Sequence, residues 1–299
     1  MSAISEKIRK NFGNTDAKRD EGLKTPETVV RFDDIVYGTD PIWQSLDVYR
    51  PVNAGDEKLP VIVSVHGGGW VYGDKDRYQY YCMSLAERGF AVVNFSYRLA
   101  PEHKFPAPLE DTCMVFSWIQ AYAEEYGFDM DQVFAVGDSA GGHTLVLFCA
   151  MCTNPDYLSH FTFSPPKGFV PAAVALNCAV HQVTISDQPE DKFSTDLMAD
   201  YLEHGGSSEE LSLVNVSGWI TEKFPPTFLM TAEDDFLKYQ VSDVVSVMIR
   251  KNVPLTVRYY KAADEKLGHV FHLDIRNVYA RQCNDEECSF FKGYIKILK

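Results

Sequence analysis

Residues 133–151 read VFAVGDSAGGHTLVLFCAM. The opening VFAV is a short apolar run of the kind that forms buried strands, and HTLVLFCAM is an apolar run of helical length. Between them stands Gly137-Asp138-Ser139-Ala140-Gly141, a G-x-S-x-G pattern. A nucleophile elbow needs a sharp strand-to-helix turn of this sort. The flanking glycines let the backbone pass without Cβ clashes, and the turn lifts the serine hydroxyl above the sheet edge. It also sets the Ala140 N–H at a helix start, where the dipole favours an oxyanion. The five-residue pattern alone is weak, and the competing reading is a Gly-rich turn that happens to hold a serine. Its placement between strand and helix makes it specific.

Outward from this turn the chain alternates in the same way. Apolar or alternating runs at 45–51, 60–67, 90–97, 172–178, 227–233 and 255–261 join 133–139 as expected strands. Helical stretches fall at roughly 77–88, 108–126, 140–152, 239–251 and 275–298. This βαβα rhythm predicts an α/β fold, with a mostly parallel sheet and helices on both faces. Two regions break the rhythm. Residues 1 to about 30 are polar and partly helical in character. Residues 180–224 carry the acidic SDQPEDKFSTD, then Tyr201, Gly205, Gly206 and Trp219. A long segment between core strands is often a lid, and a solvated surface excursion is the alternative.

A second motif, His66-Gly67-Gly68-Gly69-Trp70, follows the strand VIVSV about 70 residues before the elbow. Acyl transfer places negative charge on the former carbonyl oxygen, and fixed backbone N–H donors stabilise it without reorganising. Consecutive glycines expose such donors. Gly67 and Gly68 are the expected pair, with Ala140 as the third, and His66 shapes the loop.

A serine hydroxyl also needs a base. In folds with this elbow the order is Ser, acid, His. Of eight histidines, His269 in Leu267-Gly268-His269-Val270-Phe271 lies in a loop after the strand LTVRYYK. It is preferred to His272, which is expected to begin the last helix. His143 reads as a packed helix residue. The acid should end the preceding strand, where Glu233, Asp234 and Asp235 follow TFLMT and Ala232. Loop positions have no alternation to sort them, so chemistry alone leaves Asp234 and Asp235 level.

Together, HGGGW, SYRLAPEHKFPAPLED, GDSAGG, the late D-x-L and GHVF resemble the hormone-sensitive-lipase-like group of α/β-hydrolases, which includes bacterial acetyl esterases and carboxylesterases. The resemblance covers roughly residues 40–275, and LDVYRP agrees with it. It implies an α/β-hydrolase fold with an eight-stranded, mostly parallel sheet in one domain, 1–299. The cap would come from about 1–30 and 180–224. It selects Asp235 as the triad acid and His269 as the base. The family usually has Pro after that acid, where this chain has Phe236. Arg98, Glu102 and Asp111 are expected as scaffold beneath the glycine loop.

Composition bounds the rest. A formal net charge of −14 argues against nucleic-acid binding, and 45% apolar residues suffice for a large core. The start is polar, without the apolar core of a signal peptide, and no run of 18 apolar residues exists, so no membrane span is expected. Seven cysteines, mostly in apolar segments, read as reduced and cytoplasmic. The pairs Cys149/Cys152 and Cys283/Cys288 lack the second half of a zinc site, so no metal and no cofactor is expected. The resulting expectation is a serine esterase acting on small short-chain carboxylic esters, acetyl esters among them, with homo-oligomerisation left open. The alternatives are an amide or formamide hydrolase with the same triad, and a non-catalytic small-molecule-binding protein on this fold.

Overall fold

In the computed structural model, residues 1–185 and 192–295 are described. The first half of the expected acidic stretch, residues 186–191, and the end of the expected last helix, residues 296–299, lie outside them. Eight strands form one sheet: β1 (Val29–Val36), β2 (Ser45–Pro51), β3 (Leu59–Val65), β4 (Ala91–Phe95), β5 (Phe128–Asp138), β6 (Ala173–Asn177), β7 (Thr227–Ala232) and β8 (Leu255–Tyr260). Their spatial order is β1-β2-β4-β3-β5-β6-β7-β8. The β1/β2 and β2/β4 pairs are antiparallel, and all pairs from β4 to β8 are parallel. The helices are α1 (Ala3–Asp20), α2 (Lys75–Ala86), α3 (Ala107–Ala121), α4 (Ser139–Thr153), α5 (Pro155–Leu158), α6 (Lys192–Tyr201), α7 (Ser208–Val214), α8 (Lys238–Arg250) and α9 (Val278–Lys292).

The central strands are apolar on both faces because both faces are covered. Val61, Val63 and Val65 of β3 point to one side with Val133 and Ala135 of β5, where α3, α4 and α8 pack. Ile62, Phe134 and Val136 point to the other, against α2 and α9. Phe116 of α3 stacks on Phe148 of α4 at 4.1 Å, and both are fully buried. A third apolar cluster lies over the C-terminal ends of the strands. It joins Ile8 of α1 and Leu197, Met198 and Tyr201 of α6 to Trp70 and Ala140. Trp70 stacks on Tyr201 at 4.3 Å.

The sequence reading missed β1. Its alternation is interrupted by a bulge between Phe32 and Ile35, with Asp34 in the left-handed region at φ 58°. Lys75 at the start of α2 reaches Asp34 at 2.7 Å and the fully buried Asp47 at 3.0 Å. Two other expectations need correction. The helix expected over 108–126 stops at Ala121, and the following residues form turns closed by Phe128 N–H on the Ala123 carbonyl. His272 does not begin the last helix. It lies buried in a 3₁₀ turn, Phe271–Leu273, before α9 starts behind an Asn277 side-chain cap.

Candidate active site

Ser139 sits where β5 ends and α4 begins, at φ 49°, a strained conformation for a side-chain-bearing residue. What holds it there is the close approach of α4 to the β3 end. A Cβ on Gly141 would lie 2.1 Å from the Val65 carbonyl oxygen and 2.3 Å from that of His66.

The hydroxyl of Ser139 lies 3.0 Å from Nε2 of His269, whose Nδ1 lies 2.8 Å from Oδ1 of Asp235. Asp235 is 1% exposed. Burial pushes its carboxyl up, but hydrogen bonds from His269, the Leu237 N–H and the Thr231 hydroxyl outweigh this and hold it below the usual range. Asp234 turns outward toward Lys266 at 3.6 Å. Its backbone N–H donates to the Leu267 carbonyl, a one-residue bridge that anchors the loop carrying His269. Phe236, where the family resemblance implies proline, is 69% exposed and lays its ring 4.3 Å from the His269 ring.

The glycine loop departs from expectation at one residue. Gly67 cannot offer its N–H to a substrate, because that N–H donates to the Tyr78 hydroxyl at 2.9 Å. Tyr78 in turn donates to Asp138 Oδ2 at 2.8 Å. Among the described residues the N–H groups of Gly68 and Gly69 have no protein acceptor. Ala140 lies in the first turn of α4, where N–H groups have no intrahelical partner. The available donors are therefore those of Gly68, Gly69 and Ala140. His66 is fully buried, stacked on Tyr97 at 4.0 Å, and burial pushes its pKa down to about 4, so it stays neutral and shapes the loop.

A cavity of about 260 Å³ opens over Ser139 and His269. One wall is Gly68, Tyr72 and Tyr78; another is Phe236, Val270 and Leu273; a third is Phe12, Thr15 and Asp16 of α1. Tyr72 donates its hydroxyl to Asp16 at 2.8 Å, which ties α1 to the glycine loop. Sequence reasoning passed over Tyr78, Tyr72, Thr231 and these α1 residues. Asp138 alone had a signal, as the x of G-x-S-x-G beside the serine. It is buried, and burial pushes its pKa up to about 7.

Of the expected scaffold, Arg98 pairs with Asp111 at 2.7 Å and with Glu110 at 2.7 Å. Glu102 is not part of that set: it pairs with Arg9 of α1 at 2.7 Å. His143 is buried in α4, with Nε2 2.7 Å from the Val214 carbonyl oxygen.

Residues 46–248, more than half the chain, match the BD-FAE family model. The chain belongs to the BD-FAE family. Its fold is that of the α/β-hydrolases. Esterase B of Lactobacillus rhamnosis, bound to a tributyrin phosphonate inhibitor, superposes with a TM-score of 0.87 at 27% identity, covering 98% of this chain and 95% of that one. An esterase of Pyrobaculum calidifontis shares the fold, with a TM-score of 0.79 at 22% identity over 98% of this chain and 94% of that one. Among curated relatives, Esterase LipC of Mycobacterium tuberculosis is 34% identical over 124 residues, 41% of this chain and 30% of its own length. Versiconal hemiacetal acetate esterase of Dothistroma septosporum is 44% identical over 85 residues, 28% of this chain and 26% of its own length. The chain thus matches about a third or less of these curated relatives' lengths. Among the described residues, no helix is long and apolar enough to cross a membrane.

Proposed function

We propose that this chain is a carboxylic-ester hydrolase acting on short-chain esters through an acyl-enzyme. The observation that carries the reading is the unbroken hydrogen-bond chain Ser139–His269–Asp235 at 3.0 and 2.8 Å, opening onto a cavity. Ser139 attacks the ester carbonyl while His269 Nε2 takes its proton. Asp235, buried and charged, fixes the tautomer with the proton on Nδ1 and stabilises the imidazolium that forms. N–H groups of Gly68, Gly69 and Ala140 surround the oxyanion. His269 then protonates the leaving alcohol, and water repeats the sequence on the acyl-enzyme.

Two observations support small substrates. The cavity of about 260 Å³ lies at the small end of ligand pockets, which run from about 300 to 1,000 Å³. Trp70, Tyr201 and Leu197 fill the space on the other side of the glycine loop. The names of relatives point the same way, one an acetate esterase and one a structure with a tributyrin analogue. In this reading α1 and residues 192–214 act as the cap, since they pack over Trp70 and Ala140 and α1 supplies a cavity wall.

The test is hydrolysis of p-nitrophenyl esters from C2 to C12 by wild type and Ser139→Ala. Turnover confined to the short chains, with at least about a thousandfold loss in the variant, is the expected result. Wild-type inactivity on every ester would overturn the reading.

A further inference from the structure

Cys178 follows β6 immediately and is 1% exposed, at φ 46°. Its thiol lies beside the Asp235 carboxylate and the Val270 backbone N–H, with Met230 Sδ at 3.8 Å. Ester hydrolysis as described above makes no use of this thiol. Yet donor atoms of Cys178, Asp235 and His269 all lie within 4.8 Å of one another. A tetrahedral zinc ion takes thiolate at about 2.3 Å and imidazole or carboxylate at about 2.0–2.2 Å, which sets its ligand atoms roughly 3.3–3.8 Å apart. To reach that geometry the His269–Asp235 pair, now 2.8 Å apart, opens by about half an ångström and the Cys178 sulfur closes on both. A sulfur, a nitrogen and an oxygen together also make a donor set that soft and borderline cations prefer.

We propose that Cys178, Asp235 and His269 form an inhibitory binding site for a soft divalent cation of the zinc or cadmium class. The cation enters from the cavity, which His269 lines. It replaces the thiol proton of Cys178, and that one proton goes to solvent. His269 binds through Nδ1, the nitrogen that faces Asp235. The proton that Nδ1 carried is relocated to Nε2, so the ring stays neutral. Thiolate and carboxylate balance the two positive charges, which suits a site screened from water. Nε2 now holds a proton and cannot accept one from Ser139. The cation therefore stops proton abstraction without touching the serine.

The inhibitory consequence rests on the hydrolase reading, but the site does not. Cadmium(II) is titrated into the full chain, free of substrate, and the near-ultraviolet thiolate-to-metal charge-transfer absorption is recorded. Zinc(II) inhibition of ester turnover is measured in parallel. Wild type is expected to saturate at one cadmium per chain and to be inhibited by zinc, reversibly on adding a chelator. Cys178→Ser is expected to lose the absorption, and His269→Ala to need at least about tenfold more cadmium to develop it. Ser139→Ala, which keeps all three ligands, is expected to retain both the absorption and the affinity. If Cys178→Ser does not fold, His269→Ala decides the matter against Ser139→Ala. No charge-transfer band in wild type, undiminished cadmium affinity in His269→Ala, or loss of cadmium binding in Ser139→Ala would each overturn the proposal. A wild type inert on every ester overturns the hydrolase reading instead, and leaves the spectroscopic result to decide the site.

Discussion

At the scale of single residues, Asp234 and Asp235 show where sequence reasoning stops. They are neighbours in a loop, chemically alike, and no periodicity separates them. In the folded chain one is 1% exposed and bonded to His269, while the other faces Lys266 at the surface. Asp235→Asn is expected to lower kcat by roughly three to four orders of magnitude, through the wrong imidazole tautomer, and Asp234→Asn by less than about threefold. Steady-state kinetics on one short ester compares them directly. Tyr78 was illegible for another reason: its role arises from a contact across the fold. Its hydroxyl accepts from Gly67 and donates to Asp138, joining the glycine loop to the serine turn. Tyr78→Phe leaves both partners unsatisfied. The expected result is about a tenfold fall in kcat with KM little changed, since oxyanion donors matter most once charge develops. A rise in KM at constant kcat would assign Tyr78 to substrate binding instead.

Among elements, the strands buried on both faces were the most legible, because an unbroken apolar run bounded by turn residues has few other uses. Ser139 was legible with them, since it follows such a strand, and His269 was legible from its place in a glycine-led loop after β8, a partly exposed edge strand. The antiparallel edge was not. Asp33 and Asp34 interrupt β1: Asp33 pairs with Arg31 of the same strand, and the partner of Asp34 lies elsewhere in sequence, where Lys75 of α2 neutralises Asp34 and Asp47 together. Lys75→Met would strand the buried Asp47 carboxylate next to Tyr49, whose hydroxyl already donates to it. A loss of about 3–5 kcal/mol in urea unfolding is expected. The helix faces beneath the sheet follow ordinary packing rules. Phe148→Ala, which empties the stacked pair with Phe116, is expected to cost about 3–5 kcal/mol by the same measurement.

At the scale of the whole molecule, one buried acid links both halves. Glu287 of α9 is fully buried and accepts from Tyr81 of α2 at 3.1 Å and from Asn177 of β6 at 2.6 Å. Burial pushes its pKa from the ordinary 4.5 up to about 7. The folded chain therefore holds this proton more tightly than the unfolded chain does. The stabilisation is complete below about pH 4.5 and is lost as pH rises toward 7, the reverse of a salt-bridged carboxylate. Glu287→Gln removes the titration and keeps an acceptor. Thermal unfolding is expected to show the variant gaining on wild type between about pH 5 and pH 8, by on the order of 2–3 kcal/mol. A difference independent of pH would contradict the assignment. The strand order has a consequence in time as well. From β3 to the far edge, β5, β6, β7 and β8 are added outward in the order of synthesis, each beside its inner neighbour. Once β4 has entered between β2 and β3, a chain leaving the ribosome can add each remaining strand to a free edge of the sheet. His269 follows the last of them, so the newborn chain stays chemically silent, its serine turn already made, until the final strand has docked.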